Sequence, residues 1–183
     1  MKSLRNYLAL FTAIVAFSFV GVNAQSYSVN NSAQIEQKVF KQLIKLPYYG
    51  VFDHLAYKVD GNTVFLYGKV RNAVNRKEAE GRIKKIAGVG NVVNEIKVLP
   101  LSSFDDSIRY RTLRTIANGG SLYRYFQGAN PSVKIIVDRG NVTLEGFVAS
   151  RGDANLANIL ANQVAGVFSV TNNLQIERDI RKN

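Results

Sequence analysis

No cysteine occurs in the 183 residues. The fold therefore uses no disulfide, no thiolate is on hand as nucleophile or metal ligand, and no cysteine can carry an acyl anchor. Histidine is almost as scarce. His54 is the only one, so an imidazole base or metal ligand would have to be this residue, and nothing around it has metal-ligand spacing. It reads as a partly exposed structural histidine, and no metal or cofactor is expected. Acidic residues are few, 13 against 24 basic ones, for a net charge of +11. Hydrophobic residues make up 46% and charged residues 20%, a globular balance and not a disordered one.

Long apolar runs are also missing, with one exception near the N-terminus. Lys2 and Arg5 precede an apolar run from Leu8 to Val20, and Val22-Asn23-Ala24 follows with residues that suit a signal peptidase. The run is shorter than the roughly 18 to 20 residues needed to span a bilayer, so residues 1–24 are expected to be a secretory signal cleaved after Ala24. Losing Lys2 and Arg5 would leave 22 basic against 13 acidic residues, a net +9. The exported chain is then expected to be soluble and periplasmic.

What remains repeats itself. Val64-Phe65-Leu66-Tyr67-Gly68-Lys69-Val70 resembles Val142-Thr143-Leu144-Glu145-Gly146-Phe147-Val148, Ala87-Gly88-Val89 returns as Ala165-Gly166-Val167, and Val92 and Asn94 return as Val170 and Asn172, all at an offset of 78. Upstream, Ile35, Val39 and Leu43 match Ile108, Thr112 and Ile116 at an offset of 73. The second copy thus carries extra residues within Gly119–Pro131, a stretch of loop composition.

Each copy reads as helix, strand, turn, strand, helix, strand. Ile35, Val39 and Leu43 form a helical stripe beside Phe40. Leu55, Tyr57 and Val59, like Val133, Ile135 and Val137, alternate as half-buried strands. Asp60-Gly61-Asn62 and Asp138-Arg139-Gly140-Asn141 are hairpin turns. Gly68 and Gly146 are expected where a helix crosses the sheet closely. Second helices are expected over 73–87 and 151–165, ended by Gly88 and Gly166 as C-caps. The predicted fold is α+β: two tandem αββαβ units, over 30–99 and 105–178, each a three-stranded sheet with two helices on one face. Both cores are small, so stability is expected to be shared between the units.

The order helix, strand, Gly-Asn turn, Val-x-Leu-x-Gly-x-Val strand, helix, Ala-Gly-Val, Val-x-Asn-x-Leu/Ile resembles the BON domain (bacterial OsmY and nodulation), and it does so twice. The tandem behind a signal peptide is similar to the osmotically inducible periplasmic proteins of that family. The resemblance implies a role in envelope or osmotic-stress maintenance, with phospholipid or envelope binding and no catalysis.

The residues agree that no catalytic site is legible. Asp105 and Asp106 are a carboxylate pair, but with Ser102 and Ser103 they suit the start of a helix at 106–118. A binding site is expected on the second unit. Tyr110, Arg111 and Arg114 lie opposite the apolar stripe, Arg109 lies at its edge, and the following loop carries Tyr123, Arg124 and Tyr125. Guanidinium pairs with phosphate, and tyrosine suits the headgroup level. Four arginines near an anionic surface are worth roughly 4 kcal/mol, about millimolar affinity, so aromatic insertion or a second contact is needed. Phe65 and Tyr67 form an apolar patch on the first sheet, expected to pack against the other unit or a partner. The expected partner is therefore an anionic phospholipid membrane surface, bound peripherally. The alternative is an envelope protein-interaction module without lipid contact. Nucleic acid fits the charge, but export removes it from reach.

Overall fold

The computed structural model describes residues 23–177, with side-chain environments from Ser32 onward. Residues 1–22 of the expected signal segment lie outside the described residues. Two units follow one another. The first runs α1 (Asn23–Leu43), β1 (His54–Asp60), β2 (Thr63–Val70), α2 (Ala73–Ile83), β3 (Asn91–Asn94) and β4 (Lys97–Val98). The second runs α3 (Ser103–Ala117), a 3-10 helix (Gly120–Phe126), β5 (Val133–Asp138), β6 (Asn141–Val148), α4 (Arg151–Asn162), β7 (Ser169–Asn172) and β8 (Gln175–Ile176). In each unit the first two strands form an antiparallel hairpin, and the last strand returns parallel to the middle one after crossing through a helix. Ile35, Val39, Leu43, Ala79 and Ile83 cover the first sheet, and Ile108, Ile116, Ala157 and Ala161 cover the second.

The last strand of each unit is split because of the repeated asparagine. Asn94 accepts from the Ile96 N–H at 3.2 Å and donates to the Arg76 carbonyl at 3.0 Å. Asn172 does the same with the Leu174 N–H at 3.2 Å and the Ala154 carbonyl at 2.9 Å. One side chain thus closes a local turn and ties strand to helix, which takes an amide with both a donor and an acceptor.

Several expectations are corrected. Gly68 and Gly146 hold φ of +113° and +107°, and a Cβ there would strike the carbonyls of His54 and Ser132. The crowding comes from the neighbouring hairpin strand, not from a helix. The second helices end earlier than expected, with Lys84 and Gln163 as caps. Gly88 and Gly166 take left-handed φ in the turns beyond. β5 is buried on both faces and not half-buried, because the first unit covers its outer side.

That cover is the joint between the units. Residues 49–53 lie along β5: the Ile135 N–H donates to the Val51 carbonyl at 2.8 Å, and Lys134 Nζ donates to the Gly50 carbonyl at 3.2 Å. Phe52, from the first unit, lies inside the core of the second, 7% exposed. Its ring meets Tyr110 edge-on with centroids 5.2 Å apart, and the Arg71 guanidinium lies 5.6 Å from its centre. Lys69–Asp138 at 2.8 Å and Arg71–Asp106 at 2.9 Å tie the two units by charge.

Candidate functional site

The structure does not assemble the seven residues expected to bind lipid into one patch. Arg109 is 1% exposed. Its guanidinium is turned inward, donating to Asp106 at 2.7 Å and to the Val137 carbonyl. Position 109 projects toward β5, so the stem has no route to solvent, and the residue is removed from the membrane site. Tyr125 is buried too. Its hydroxyl receives the Ala149 N–H at 2.9 Å and donates to Asp153 at 2.8 Å. Arg124 is exposed but is committed to Asp153 at 2.9 Å and to the Tyr125 hydroxyl at 2.8 Å. Burial pushes the Asp153 carboxyl up, yet hydrogen bonds from Ser150, Tyr125 and Arg124 hold it below the ordinary carboxylate range. These residues fasten the 3-10 helix to the start of α4. Tyr110 remains half in solvent, with its ring engaged by Phe52. Arg111, Arg114 and Tyr123 are exposed.

The exposed three are themselves divided. The 3-10 helix carrying Tyr123 sits where β6 ends, beside Ala149, whereas the N-terminal end of α3 sits at the opposite, hairpin end. Asp105 fixes that end: fully buried, it accepts from the N–H groups of Arg139 and Gly140 at 2.9 and 2.8 Å. Both turn residues have positive φ, 53° and 77°, the type I′ pattern that favours glycine. Asp105 thus lies in the first turn of α3, as expected, above the Ser102 cap, and it anchors the hairpin turn as well. β6 is eight residues long, about 25 Å at strand rise, so Tyr123 cannot share a headgroup with the hairpin end.

The hairpin end carries an exposed apolar and basic corner that sequence reasoning missed. Phe168 is 72% exposed and Phe104 46%, with ring centroids 6.0 Å apart. Phe168 lies over Gly140 and Phe104 beside Gly166, each glycine leaving room for a ring. Arg111, one helical face along from Phe104, donates to the Ser107 carbonyl at 3.2 Å and the Ala165 carbonyl at 3.1 Å. These bonds hold the arginine beside the loop that presents Phe168. Arg139 stands exposed at the turn, whereas Arg114 lies in the last turn of α3, away from this corner. The available signal was the repeat: Phe168 occupies the place that Gly90 has in the first unit.

Phe65 and Tyr67 stack on one another at 6.4 Å. Tyr67 lines a cleft of about 930 Å³ between the two sheets, facing Ile136, Thr143 and Glu145. His54 stands at the same cleft, 3.9 Å from Glu145. Burial lowers its pKa, against the opposing pull of Glu145. At the joint, burial raises Asp53 despite N–H bonds from Arg71 and Gly50, pushes Tyr49 up to about 12, and lowers Lys134 to about 8. These shifts follow from burial where the two units dock, and Lys134 itself is 5% exposed. Among the described residues no group of three or more His, Asp or Glu side chains is placed to hold a metal, and no helix is long and apolar enough to cross a membrane.

No curated protein matches the chain. Two solved structures of CdsD, a structural protein of the type III secretion system of Chlamydia trachomatis, show some likeness. Its C-terminal domain is 14% identical, with 80% of this chain and 66% of that chain covered and a TM-score of 0.32. The other CdsD structure is 11% identical, with 81% and 96% covered and a TM-score of 0.30. The BON domain matches twice, over residues 31–100 and 115–178. The first match begins within α1 and runs through β4. The second begins within α3, so Phe104 and Arg111 lie outside it. With both units matched, the chain belongs to the BON domain family as a tandem of two such domains.

Proposed function

We propose that this is a non-catalytic protein of the cell envelope that binds anionic phospholipid surfaces peripherally, through the hairpin-end corner of its second domain. The observation that carries the reading is the pairing of two exposed phenylalanines with arginines held beside them. An aromatic ring exposed in water gains by entering the apolar edge of a bilayer, and guanidinium groups at the same level meet phosphate. Arg111 and Arg139 near an anionic surface are worth about 2 kcal/mol. Partial burial of two phenyl rings adds roughly 3 kcal/mol. The sum, about 5 kcal/mol, corresponds to a few tenths of millimolar affinity, against the tens of millimolar that two arginines alone would give. Export and a periplasmic location, in a role in envelope or osmotic-stress maintenance, agree with the signal-like N-terminus and the family.

The test is cosedimentation with vesicles of phosphatidylglycerol mixed into phosphatidylcholine. Binding is expected to rise with the anionic fraction and fall with salt. A Phe104→Ala, Phe168→Ala variant is expected to lose binding about tenfold or more, and Arg111→Ala, Arg139→Ala to lose most of the salt dependence. Equal binding by the wild type and the double phenylalanine variant would sink the site. Equal binding to neutral and anionic vesicles would sink the lipid class.

A further inference from the structure

From Ala154 to Ile176 the chain contains no Asp, Glu, Lys, Arg or His. This gap lies in a protein of net charge +11 and covers α4 beyond its first turn, the loop after it, and β7 and β8. The first domain supplies an internal control, since residues 76–98 build the same elements and hold nine charged residues.

The exchange is made pair by pair on the outer face of the helix. In α2, Glu78 pairs with Arg82 at 3.3 Å and Glu80 with Lys84 at 2.6 Å. At the repeat offset these positions become Leu156 with Leu160 and Asn158 with Asn162. Lys77 and Lys85 become Asn155 and Gln163. Leu160 packs against the core and Gly119, and Leu156 approaches Gly120, so these two answer the 3-10 turn that only the second domain has. Folding does not require the change at Asn155, Asn158, Ile159, Asn162 and Gln163. The helix is held by Ala154, Ala157 and Ala161 on its inner side, and α2 shows that the same place accepts ion pairs. Ile159 is the sharpest case. It is 53% exposed where the first domain has Gly81, and a Cβ at Gly81 would meet nothing within 4 Å. The fold leaves that position open, and the second domain fills it with a large aliphatic side chain facing solvent.

We propose that this outer face of α4 is a self-association surface whose occupant is a second copy of this chain. Charge matching identifies the occupant. Two strongly basic copies repel one another, so they can approach closely only where charge is absent, and interface cores are depleted of charge. An acidic partner would find no counter-charge here, and an anionic membrane would find no lysine or arginine. A two-fold axis sets a surface against itself. Leu156 and Ile159 then meet their own copies, and the amides of Asn155, Asn162 and Gln163, each both donor and acceptor, are complementary to themselves.

Sedimentation velocity of the exported chain tests this. The expected result is a mass of two chains that grows with concentration and is undiminished by salt. Ile159→Lys is expected to weaken association about tenfold or more, because it places like charges at the axis. The graft Asn158→Glu, Asn162→Lys, which restores the Glu80–Lys84 ion pair of the first domain, is expected to weaken it likewise. A second measurement uses the cysteine-free background. Under mild oxidation Ile159→Cys is expected to give a disulfide-linked dimer, and Gly81→Cys, its counterpart in the first domain, to stay single. A wild type that sediments as one chain at all concentrations overturns the proposal. So do variants that associate like the wild type, or equal crosslinking from positions 81 and 159.

Discussion

Removing the Phe52 ring tests whether the two domains form one cooperative body. Phe52 belongs to the first domain by sequence but is buried among Ile108 and the other core residues of the second. Phe52→Ala leaves a ring-sized hole there, removes the edge-on contact with Tyr110 and takes away the surface under the Arg71 guanidinium. Buried Phe→Ala substitutions cost about 3–5 kcal/mol. The lower figure applies here, because the joint keeps the Ile135 to Val51 backbone bond and the Lys69–Asp138 and Arg71–Asp106 pairs. For a chain of this size each kcal/mol shifts the melting temperature about 2–4 °C, so a fall of roughly 6–12 °C is expected. Calorimetry and urea unfolding followed by circular dichroism are the assays. The wild type is expected to melt in one transition. The variant is expected to melt in two, the second domain first, since it loses core while the first loses only a neighbour. A single transition displaced by less than about 1 kcal/mol would refute the idea that Phe52 couples the domains.

Other perturbations separate structural residues from binding ones. Arg109→Ala leaves the Val137 carbonyl unpaired and strips Asp106 of one partner; a loss of about 3 kcal/mol in urea unfolding is expected, with vesicle binding per folded molecule unchanged. Asn94→Ala and Asn172→Ala both remove the turn bond and the bond to the helix, and Asn94→Ala also removes a bond to Glu80 at 3.1 Å; each is expected to cost about 1–2 kcal/mol, and a cost clearly larger for Asn172→Ala would contradict their equivalence. Lys134 has a folded pKa of about 8, lowered by burial from 10.5. The fold therefore disfavours its charged form, and stability is expected to rise as pH increases from about 8 toward 10.5, where the unfolded chain binds the extra proton. Tyr49, pushed up to about 12, acts with the opposite sign above pH 10, so the window for Lys134 is pH 8 to 10. Urea unfolding across that window is expected to show the rise in the wild type and not in Lys134→Met.

The repeat made the architecture legible, because an offset of 78 fixes the equivalence of strands, turns and helices before any contact is known. Periodicity could likewise place Ile35, Val39 and Leu43, or Ile108 and Ile116, on a core face. It could not show that β5 is covered twice, since alternation in Val133, Ile135 and Val137 describes one sheet face and says nothing of a second domain lying on the other. The same blindness misplaced Arg109. Helical counting put it at the edge of the apolar stripe, and whether such an arginine snorkels outward or turns inward depends on an acceptor there. Asp106 and the Val137 carbonyl supply that acceptor. Tyr125 was misread because a loop of aromatic and basic residues looks the same whether it faces solvent or is pinned by Asp153. Phe168 was legible as a departure from the repeat at Gly90, but its meaning depends on Phe104, which is distant in sequence.

Electrostatics gives the two proposed surfaces of the second domain opposite responses to salt. The hairpin-end corner holds its ligand partly through arginines near a charged surface, and ions screen that attraction over about 8–10 Å at ordinary ionic strength. The outer face of α4 has no charge to screen. What opposes its contact is the repulsion between two basic bodies, and the same ions weaken that repulsion. Added salt should therefore release the chain from anionic vesicles while leaving or strengthening its self-association, and Ile159→Lys should reverse neither the lipid affinity of a single copy nor its salt slope. A dimer presents two corners, so at low salt its hold on a membrane should exceed that of the Ile159→Lys monomer whenever both corners reach the same surface. If vesicle binding and self-association instead fell together along one salt titration, with the same variants abolishing both, the two surfaces would be one, and the division of labour within the second domain would be wrong.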